Sequence, residues 1–314
     1  MNQGFDCMGG RSATSYNTSN DRFLLKYAIA RLASYRNLWW SMADEFNAIQ
    51  CKTPTIWDEL FAAMMQYDPY DGLDGREPVR EKSILQRGNV LYNYSQPFLT
   101  HFSVQGFANS NYRYFWDRFN VSKPVVLDKV DYEGNISKTS GNDLSATEET
   151  DRFWMANSNG NMCGHSESLL PNKTDDIDGT ALIWNNFGNV LRGGSYDKIG
   201  WFFRYMLNVA IHPPFATMDS VCLKGTDAHC LISSLQRENA FYLIHWSNYS
   251  NGGYDTKLVH SLGDALYQLS YVDFMEESIQ TLNKSINGTT FEFKPPYIPY
   301  NIQLVNVKSP FHQN

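Results

Sequence analysis

The chain has 314 residues, 42% of them hydrophobic and 19% charged, which is enough apolar material for one large core or two smaller ones. Asp and Glu outnumber Lys and Arg by 33 to 26, and no basic run is long enough to neutralise a phosphate backbone, so the composition argues against a nucleic-acid partner. No apolar stretch approaches the ~20 residues of a membrane-spanning helix, so we expect no membrane partner.

The cysteines and the glycosylation sequons bear on metal binding and on compartment. None of the five cysteines forms a Cys-x-x-Cys pair, which argues against a zinc site, and at most Cys222 and Cys230 could bridge. Eight Asn-x-Ser/Thr sequons occur where about four are expected by chance, an excess that favours secretion, although Met1 to Gly4 lack the pattern of a signal peptide. We predict neither a metal nor an organic cofactor.

Helices and strands alternate through the first two thirds of the chain. Residues 1–20 have the composition of a loop, and Asn20 or Asp21 is expected to cap a helix that ends near Arg36-Asn37. Further helices are predicted near residues 54–66, 112–119 and 145–157, the last capped by Ser145-Ala-Thr-Glu148. Apolar runs predict strands near residues 38–43, 83–86, 98–104, 123–128 and 161–164.

This alternation predicts parallel β/α units, either doubly wound or closed into a TIM-type (β/α) barrel. No Gly-x-Gly-x-x-Gly opens a helix and no P-loop is present, which favours the barrel. From about Glu238 the pattern changes to short β-rich runs separated by turns such as Asn251-Gly-Gly253, which predict a small antiparallel β-sandwich. We therefore predict a partial barrel over residues 1–215 and a β-domain over residues 238–314.

Polar side chains follow several predicted strands, and the active site of a barrel lies at the carboxyl ends of its strands. They are Asp44-Glu45, Thr100-His101, Asp128-Lys129 and His165-Ser166-Glu167. Glu45 lies between an apolar strand and Phe46, so desolvation is expected to raise its pKa toward the value that a general acid needs. Two alternatives stay open, a helix-capping role for Glu45 and a hydrogen-bonded structural role for His101.

Residues 26–45, which include Trp39-Trp40 and end at Asp44-Glu45, resemble the strand-four signature of apiosidase-like and related glycoside hydrolases of the (β/α)8 clan. Five further stretches agree in order, among them residues 100–105, 123–135 and 182–195. The β-rich tail is similar to the small C-terminal domain that follows such barrels. The resemblance implies a partial barrel of about strands 4–8.

The resemblance also implies a mechanism. Enzymes of this clan hydrolyse glycosidic bonds with two carboxyl groups, an acid/base after strand four and a nucleophile after strand seven. Glu45 falls on the acid/base position, and Glu167 falls in a stretch where a substrate contact is expected. The residues that we predict to bind substrate are Asp44, His101, Lys129, His165, Glu167 and Trp184.

The nucleophile position departs from the family pattern, because Lys129 stands where the family has a glutamate. A protonated amine cannot attack the anomeric carbon, so Lys129 predicts impaired retaining catalysis. Asp128 points to the opposite face if the strand alternates regularly. Glu133 completes the pair if the following loop folds back, so we predict Glu45 and Glu133 as the catalytic residues.

Only 37 residues precede Leu38, whereas the family has three strands there, so we expect a truncated gene product or a partial sequence. Two functions remain open. The first is a glycoside hydrolase that acts on glycosidic bonds of a carbohydrate. The second is a non-catalytic carbohydrate-binding or structural protein, in which Trp40, Trp154 and Trp184 supply stacking surface.

Overall fold

The computed structural model describes residues 18–35, 40–42, 52–69, 82–83, 85–87, 96, 99, 102–105, 125–129, 132–133, 143–158, 162–165, 193–209, 215–218, 230–235, 241–246, 258–260, 265–287, 291–293, 295–297 and 299–308. The chain divides into two compact units, Met1–Lys129 and Val130–Asn314. This division rests on spatial compactness, and the predicted domains, 1–215 and 238–314, stay a prediction.

The first unit contains helices α1 (Thr18–Leu32) and α2 (Pro54–Tyr67) and five short strands. The strands are β1 (Trp40–Ser41), β2 (Lys82–Ser83), β3 (Leu85–Arg87), β4 (Phe102–Gln105) and β5 (Val125–Lys129). β1 pairs with β2 and β4 pairs with both β3 and β5, in every case in parallel. Parallel pairing confirms a mixed α/β unit, in which α1, β1, α2 and β2 alternate. The predicted helix near residues 112–119 lies outside the described residues, so alternation between β4 and β5 stays a prediction.

The boundaries of α1 differ from the prediction. The helix begins at Thr18, so Asn20 and Asp21 lie inside its first turn and do not precede it. The Asp21 carboxylate is buried and accepts a hydrogen bond from Lys52, which draws it toward the start of α2. The helix ends at Leu32, earlier than predicted, because the chain leaves it through a turn in which the Tyr35 N–H donates to the Leu32 carbonyl.

The second unit contains helices α3 (Ala146–Ser158) and α4 (Ser195–Val209) and the remaining strands. Three strands are only two residues long: β6 (Tyr132–Glu133), β7 (Asp143–Leu144) and β8 (Met162–Cys163). The others are β9 (Phe215–Met218), β10 (Cys230–Leu235), β11 (Phe241–Trp246), β12 (Leu258–His260), β13 (Leu266–Asp273), β14 (Ser278–Asn287), β15 (Phe291–Phe293) and β16 (Tyr300–Asn306).

A six-stranded antiparallel sheet in the order β14-β13-β16-β11-β10-β9 organises the second unit. Its central strand β11 is buried along its whole length. Phe241 and Leu243 pack in a core with Trp154 of α3 and Phe202 of α4, while the alternate residues of β11 pack in a second core. The antiparallel sheet is as predicted, but it begins at Phe215, earlier than the pattern change near Glu238.

Two further details concern the β-rich part and α3. β12 and β15 form a separate antiparallel pair, and the sandwich arrangement stays a prediction. The predicted cap of α3 is confirmed, because Glu148 accepts from the backbone N–H of Ser145 and the Ser145 hydroxyl accepts from that of Glu148. Among the helices of the described ranges, none has both the length and the apolar character to cross a bilayer.

Candidate active site

Glu133 is the centre of a buried polar cluster in the second unit. Its Oε1 accepts a hydrogen bond from the Gly194 N–H at 2.8 Å. Its Oε2 accepts one from the Ser195 N–H at 3.1 Å and another from the Ser195 hydroxyl at 2.6 Å. The carboxylate is only 3% exposed and caps the N-terminus of α4, although it belongs to β6, about sixty residues earlier in the chain. At a helix N-terminus the unpaired N–H groups and the helix dipole favour a negative charge.

The surroundings of Glu133 keep it ionised. Burial alone raises the pKa of this carboxyl group, because it disfavours the charged form. The nearby His165 ring, the Ser195 hydroxyl and the N–H groups of Gly194 and Ser195 outweigh burial and lower the pKa to about 2. A carboxyl group with so low a pKa is ionised at neutral pH, which suits a charged anchor.

His165 joins this cluster from the residues that follow β8. Its Nε2 lies 2.9 Å from the Ser195 hydroxyl oxygen and 3.9 Å from Oε2 of Glu133. Oε1 of Glu149, in the first turn of α3, also lies 3.9 Å from this nitrogen. The His165 side chain is 19% exposed, whereas those of Glu133 and Glu149 are buried. His165 is thus the member of the cluster that reaches the surface.

The geometry limits the chemistry of this cluster. Ser195 is completely buried and hydrogen-bonded to a carboxylate, so the Ser-His-Glu set is not arranged as the exposed nucleophile of an acyl-transfer enzyme. Glu133 accepts three hydrogen bonds and has little exposed surface, which supports a positioning role. Its predicted catalytic role stays a prediction. Within the described residues, no three His, Cys, Asp or Glu side chains are grouped to hold a metal ion.

Most of the other predicted site residues belong to parts of the chain that the structure does not describe. Asp44, Glu45, His101, Glu167 and Trp184 lie outside the described residues. Lys129 ends β5, and its side chain lies outside them as well. Their predicted roles stay predictions.

A register shift alters the argument about Asp128. In the pairing of β4 with β5, Leu127 lies opposite Val104 and Lys129 lies opposite Gln105, so Asp128 is skipped. Such a bulge breaks the regular alternation of side chains along a strand. The prediction that Asp128 faces away from Lys129 assumed regular alternation of side chains. The pairing of β5 with β4 is not regular at Asp128, so this assumption does not hold there.

Two tryptophans proposed as stacking surface are buried. Trp40 is 8% exposed, and its indole N–H donates to Asp68 at 3.1 Å. Trp154 is fully buried, with its ring 4.7 Å from that of Phe202 and 5.6 Å from that of Tyr205. Neither ring offers a face to a ligand, so this part of the carbohydrate-stacking hypothesis is wrong.

No local pattern in the sequence indicates a role for Ser195, Gly193 or Glu149. Residues 193–195 belong to one of the stretches that resemble the glycosidase family, but nothing local in them indicates a distant carboxylate. A helix after Ser195 was also not predicted, although Ile199, Phe202 and Tyr205 recur there at helical spacing and are buried.

The fold, with parallel strand pairs followed by an antiparallel sheet, is similar to that of glycoside hydrolases of known structure. One similar structure is a provisionally assigned glycoside hydrolase from Bacteroides vulgatus ATCC 8482, at 22% identity and a TM-score of 0.71 over 96% of this chain. Another is described as a glycoside hydrolase, at 12% identity and a TM-score of 0.68 over 94% of this chain.

The chain spans 57% of the length of the Bacteroides protein and 70% of the other. No protein-family profile matches the chain, and no curated protein matches it in sequence.

Proposed function

We propose that this chain is part of a glycoside hydrolase of the apiosidase-like kind, which cleaves glycosidic bonds of a carbohydrate. The main support is the likeness of the fold to glycoside hydrolase structures, which extends over 96% of the chain in one case. The sequence resemblance to the (β/α)8 clan adds to this support. In this proposal the chain supplies about strands 4–8 of a TIM-type barrel and the small β-domain.

Glu45 is the proton donor in this proposal, and a second carboxylate must complete the pair. Glu133 was the first candidate, but its three hydrogen bonds at the start of α4 make an attack on a sugar carbon difficult. Glu167, which lies outside the described residues, is the other carboxylate that the sequence offers for this role. Lys129, at the position of the family nucleophile, is expected to weaken catalysis by attracting these carboxylates.

The experiment is the release of aryl leaving groups from a panel of aryl glycosides by the purified chain. We expect slow hydrolysis that Glu45→Gln abolishes, while the matched control Glu276→Gln, at an exposed carboxylate in the turn after β13, leaves it unchanged. Lys129→Glu is expected to increase the rate. If neither the wild-type chain nor Lys129→Glu hydrolyses any member of the panel, the proposal of catalysis is wrong.

A non-catalytic carbohydrate-binding protein is the second candidate, and the lysine at the nucleophile position favours it. Calorimetric titration with the sugars of the same panel separates the two. Saturable binding without release of the aryl group supports the second candidate, and turnover contradicts it.

A further inference from the structure

We infer that Tyr297, Tyr271 and Gln280 form a surface site that binds a neutral carbohydrate chain. The ring of Tyr297 stacks on a sugar ring, and the phenol groups and the Gln280 amide bind its hydroxyl groups. The choice of a carbohydrate as the ligand rests on the proposed function. The site itself is defined by contacts within the six-stranded antiparallel sheet and the segment that leads into β16.

Three tyrosine rings pack together beside the second core of the sheet. Tyr300, at the start of β16, is buried in that core, and Tyr271 of β13 packs against it. The rings of Tyr271 and Tyr300 are stacked, with their centroids 4.5 Å apart. The Tyr297 ring meets both nearly at right angles, at 5.1 Å from Tyr300 and 6.3 Å from Tyr271. These edge-to-face contacts hold the ring of Tyr297 in one orientation.

Tyr297 is the exposed member of this group, at 53% exposure compared with 6% for Tyr300. The hydroxyl oxygens of Tyr271 and Tyr297 lie 2.5 Å apart at the surface, so one hydroxyl donates a hydrogen bond to the other. Each phenol oxygen has two lone pairs, so the pair keeps acceptors for the hydroxyl groups of a ligand. Because the Tyr297 ring is already fixed, a ligand that stacks on it loses little binding energy to the ordering of this side chain.

Gln280 adds an amide group beside the tyrosines. It lies directly opposite Tyr271 in the pairing of β13 with β14, so both side chains project from the same face of the sheet, with Cβ atoms about 5 Å apart. Gln280 is exposed, and within the described part of the chain its amide has no hydrogen-bond partner. An amide both donates and accepts hydrogen bonds, as a sugar hydroxyl does.

The charge beside the tyrosines favours a neutral ligand over an anionic one. The carboxylate of Asp273, at the end of β13, accepts hydrogen bonds at 3.0 Å from two backbone N–H groups of the following turn. Burial, the Tyr297 hydroxyl and this carboxylate all raise the pKa of Tyr271, so its phenol is uncharged at neutral pH. A carboxylate this close repels an anionic ligand and leaves a neutral sugar unaffected.

Affinity electrophoresis of the purified chain, in gels that contain a soluble polysaccharide, tests the site. The panel has three neutral polysaccharides, xylan, arabinan and galactan, and the anionic polygalacturonate. We expect at least one neutral polysaccharide to retard the wild-type chain. Tyr297→Ala is expected to lower the affinity about tenfold, as for the loss of one stacked ring. Gln280→Ala is expected to lower it about fivefold, as for the loss of one hydrogen bond.

Ile279→Ala is the matched control. Ile279 is exposed and precedes Gln280 on β14, so its side chain projects from the opposite face of the sheet and its removal should leave the affinity unchanged. If Tyr297→Ala does not fold, Gln280→Ala decides, because it alters only an exposed side chain. Unchanged affinity in a folded Tyr297→Ala protein, or in Gln280→Ala, overturns the inference.

Other outcomes also overturn it. One is retardation by polygalacturonate alone. Another is a wild-type dimer in gel filtration that Tyr297→Ala converts to a monomer, because the tyrosines then form an interface between two copies of the chain.

Hydrolysis of aryl glycosides by the same samples separates this inference from the proposed function. A chain that binds polysaccharide through Tyr297 but cleaves no aryl glycoside supports the inference and contradicts the proposed catalysis. A chain that cleaves aryl glycosides but is retarded by no polysaccharide supports the proposed catalysis and overturns the inference.

Discussion

The carboxylate of Glu133 fills the space beside Gly193: a Cβ atom at position 193 would lie 2.0 Å from Oε2 and 2.2 Å from the carboxyl carbon. Real Cβ atoms do not approach other atoms so closely. The glycine is therefore required by the side chain of a residue sixty positions earlier in the chain, which is itself held by the backbone of Gly194 and Ser195.

Gly193→Ala is expected to destabilise the protein by about 1–3 kcal/mol, the usual cost of forcing extra atoms into a filled space. The added methyl group must displace a carboxylate that accepts three hydrogen bonds. Gly194→Ala is the matched control, because a Cβ there would lie 3.9 Å from that of Ala146, an ordinary contact. Urea unfolding measures both, and equal stability of the two variants would contradict the clash.

Because the pKa of Glu133 is low in the folded state, the free energy of unfolding of the second unit should fall as the pH is lowered. The folded-state pKa of about 2 lies below the ordinary value of 4.5, so the contribution of Glu133 is fully present above pH 4.5 and is lost as pH falls toward 2. It amounts to about 3 kcal/mol at neutral pH. The stability difference between wild type and Glu133→Gln should therefore shrink as unfolding is measured from pH 7 down to pH 3. A difference that stays constant contradicts this assignment.

A buried ion pair joins α1 to the start of α2 in the first unit. Lys52 donates to Asp21, and both side chains are almost completely buried. Asp21→Asn leaves the ammonium without its carboxylate and should cost about 3–5 kcal/mol of unfolding free energy. The exposed pair of Arg22 and Glu59, on the same two helices, is the control, and Glu59→Gln should cost about 0–1 kcal/mol. Similar losses for the two variants would show that burial does not strengthen the first pair.

Because Trp154 is buried, we expect its replacement to lower the stability of the protein and not its affinity for a ligand. Trp154→Ala removes a ring that packs against Phe202 and Tyr205 and should cost about 3–5 kcal/mol. Phe203→Ala, at a half-exposed position of α4, should cost clearly less. Thermal unfolding measures both. Loss of sugar binding in a Trp154→Ala protein of normal stability would restore the stacking role.

Local patterns in the sequence were sufficient for several elements. α2 and the capped start of α3 lie within a few residues of their predicted positions. Strands β11, β13 and β16 fall in the region after Glu238 where β-rich runs were predicted. Helical spacing, alternation and capping are each set by neighbours within about four residues, so they can be recognised without the fold. The chain order of these elements also sufficed to predict parallel pairing in the first unit and the antiparallel sheet in the second.

The arrangement of the candidate site could not be predicted from the sequence, because it depends on contacts between residues that are far apart along the chain. Glu133 meets Gly194 and Ser195 across 61 and 62 residues, and only the packing of β6 against the start of α4 shows that this carboxylate is buried and caps a helix. The bulge at Asp128 and the burial of Trp40 and Trp154 likewise depend on neighbouring strands and helices. The sequence by itself therefore determined which residues carry reactive groups, while the tertiary structure decided which of those groups are buried, because burial depends on residues distant along the chain.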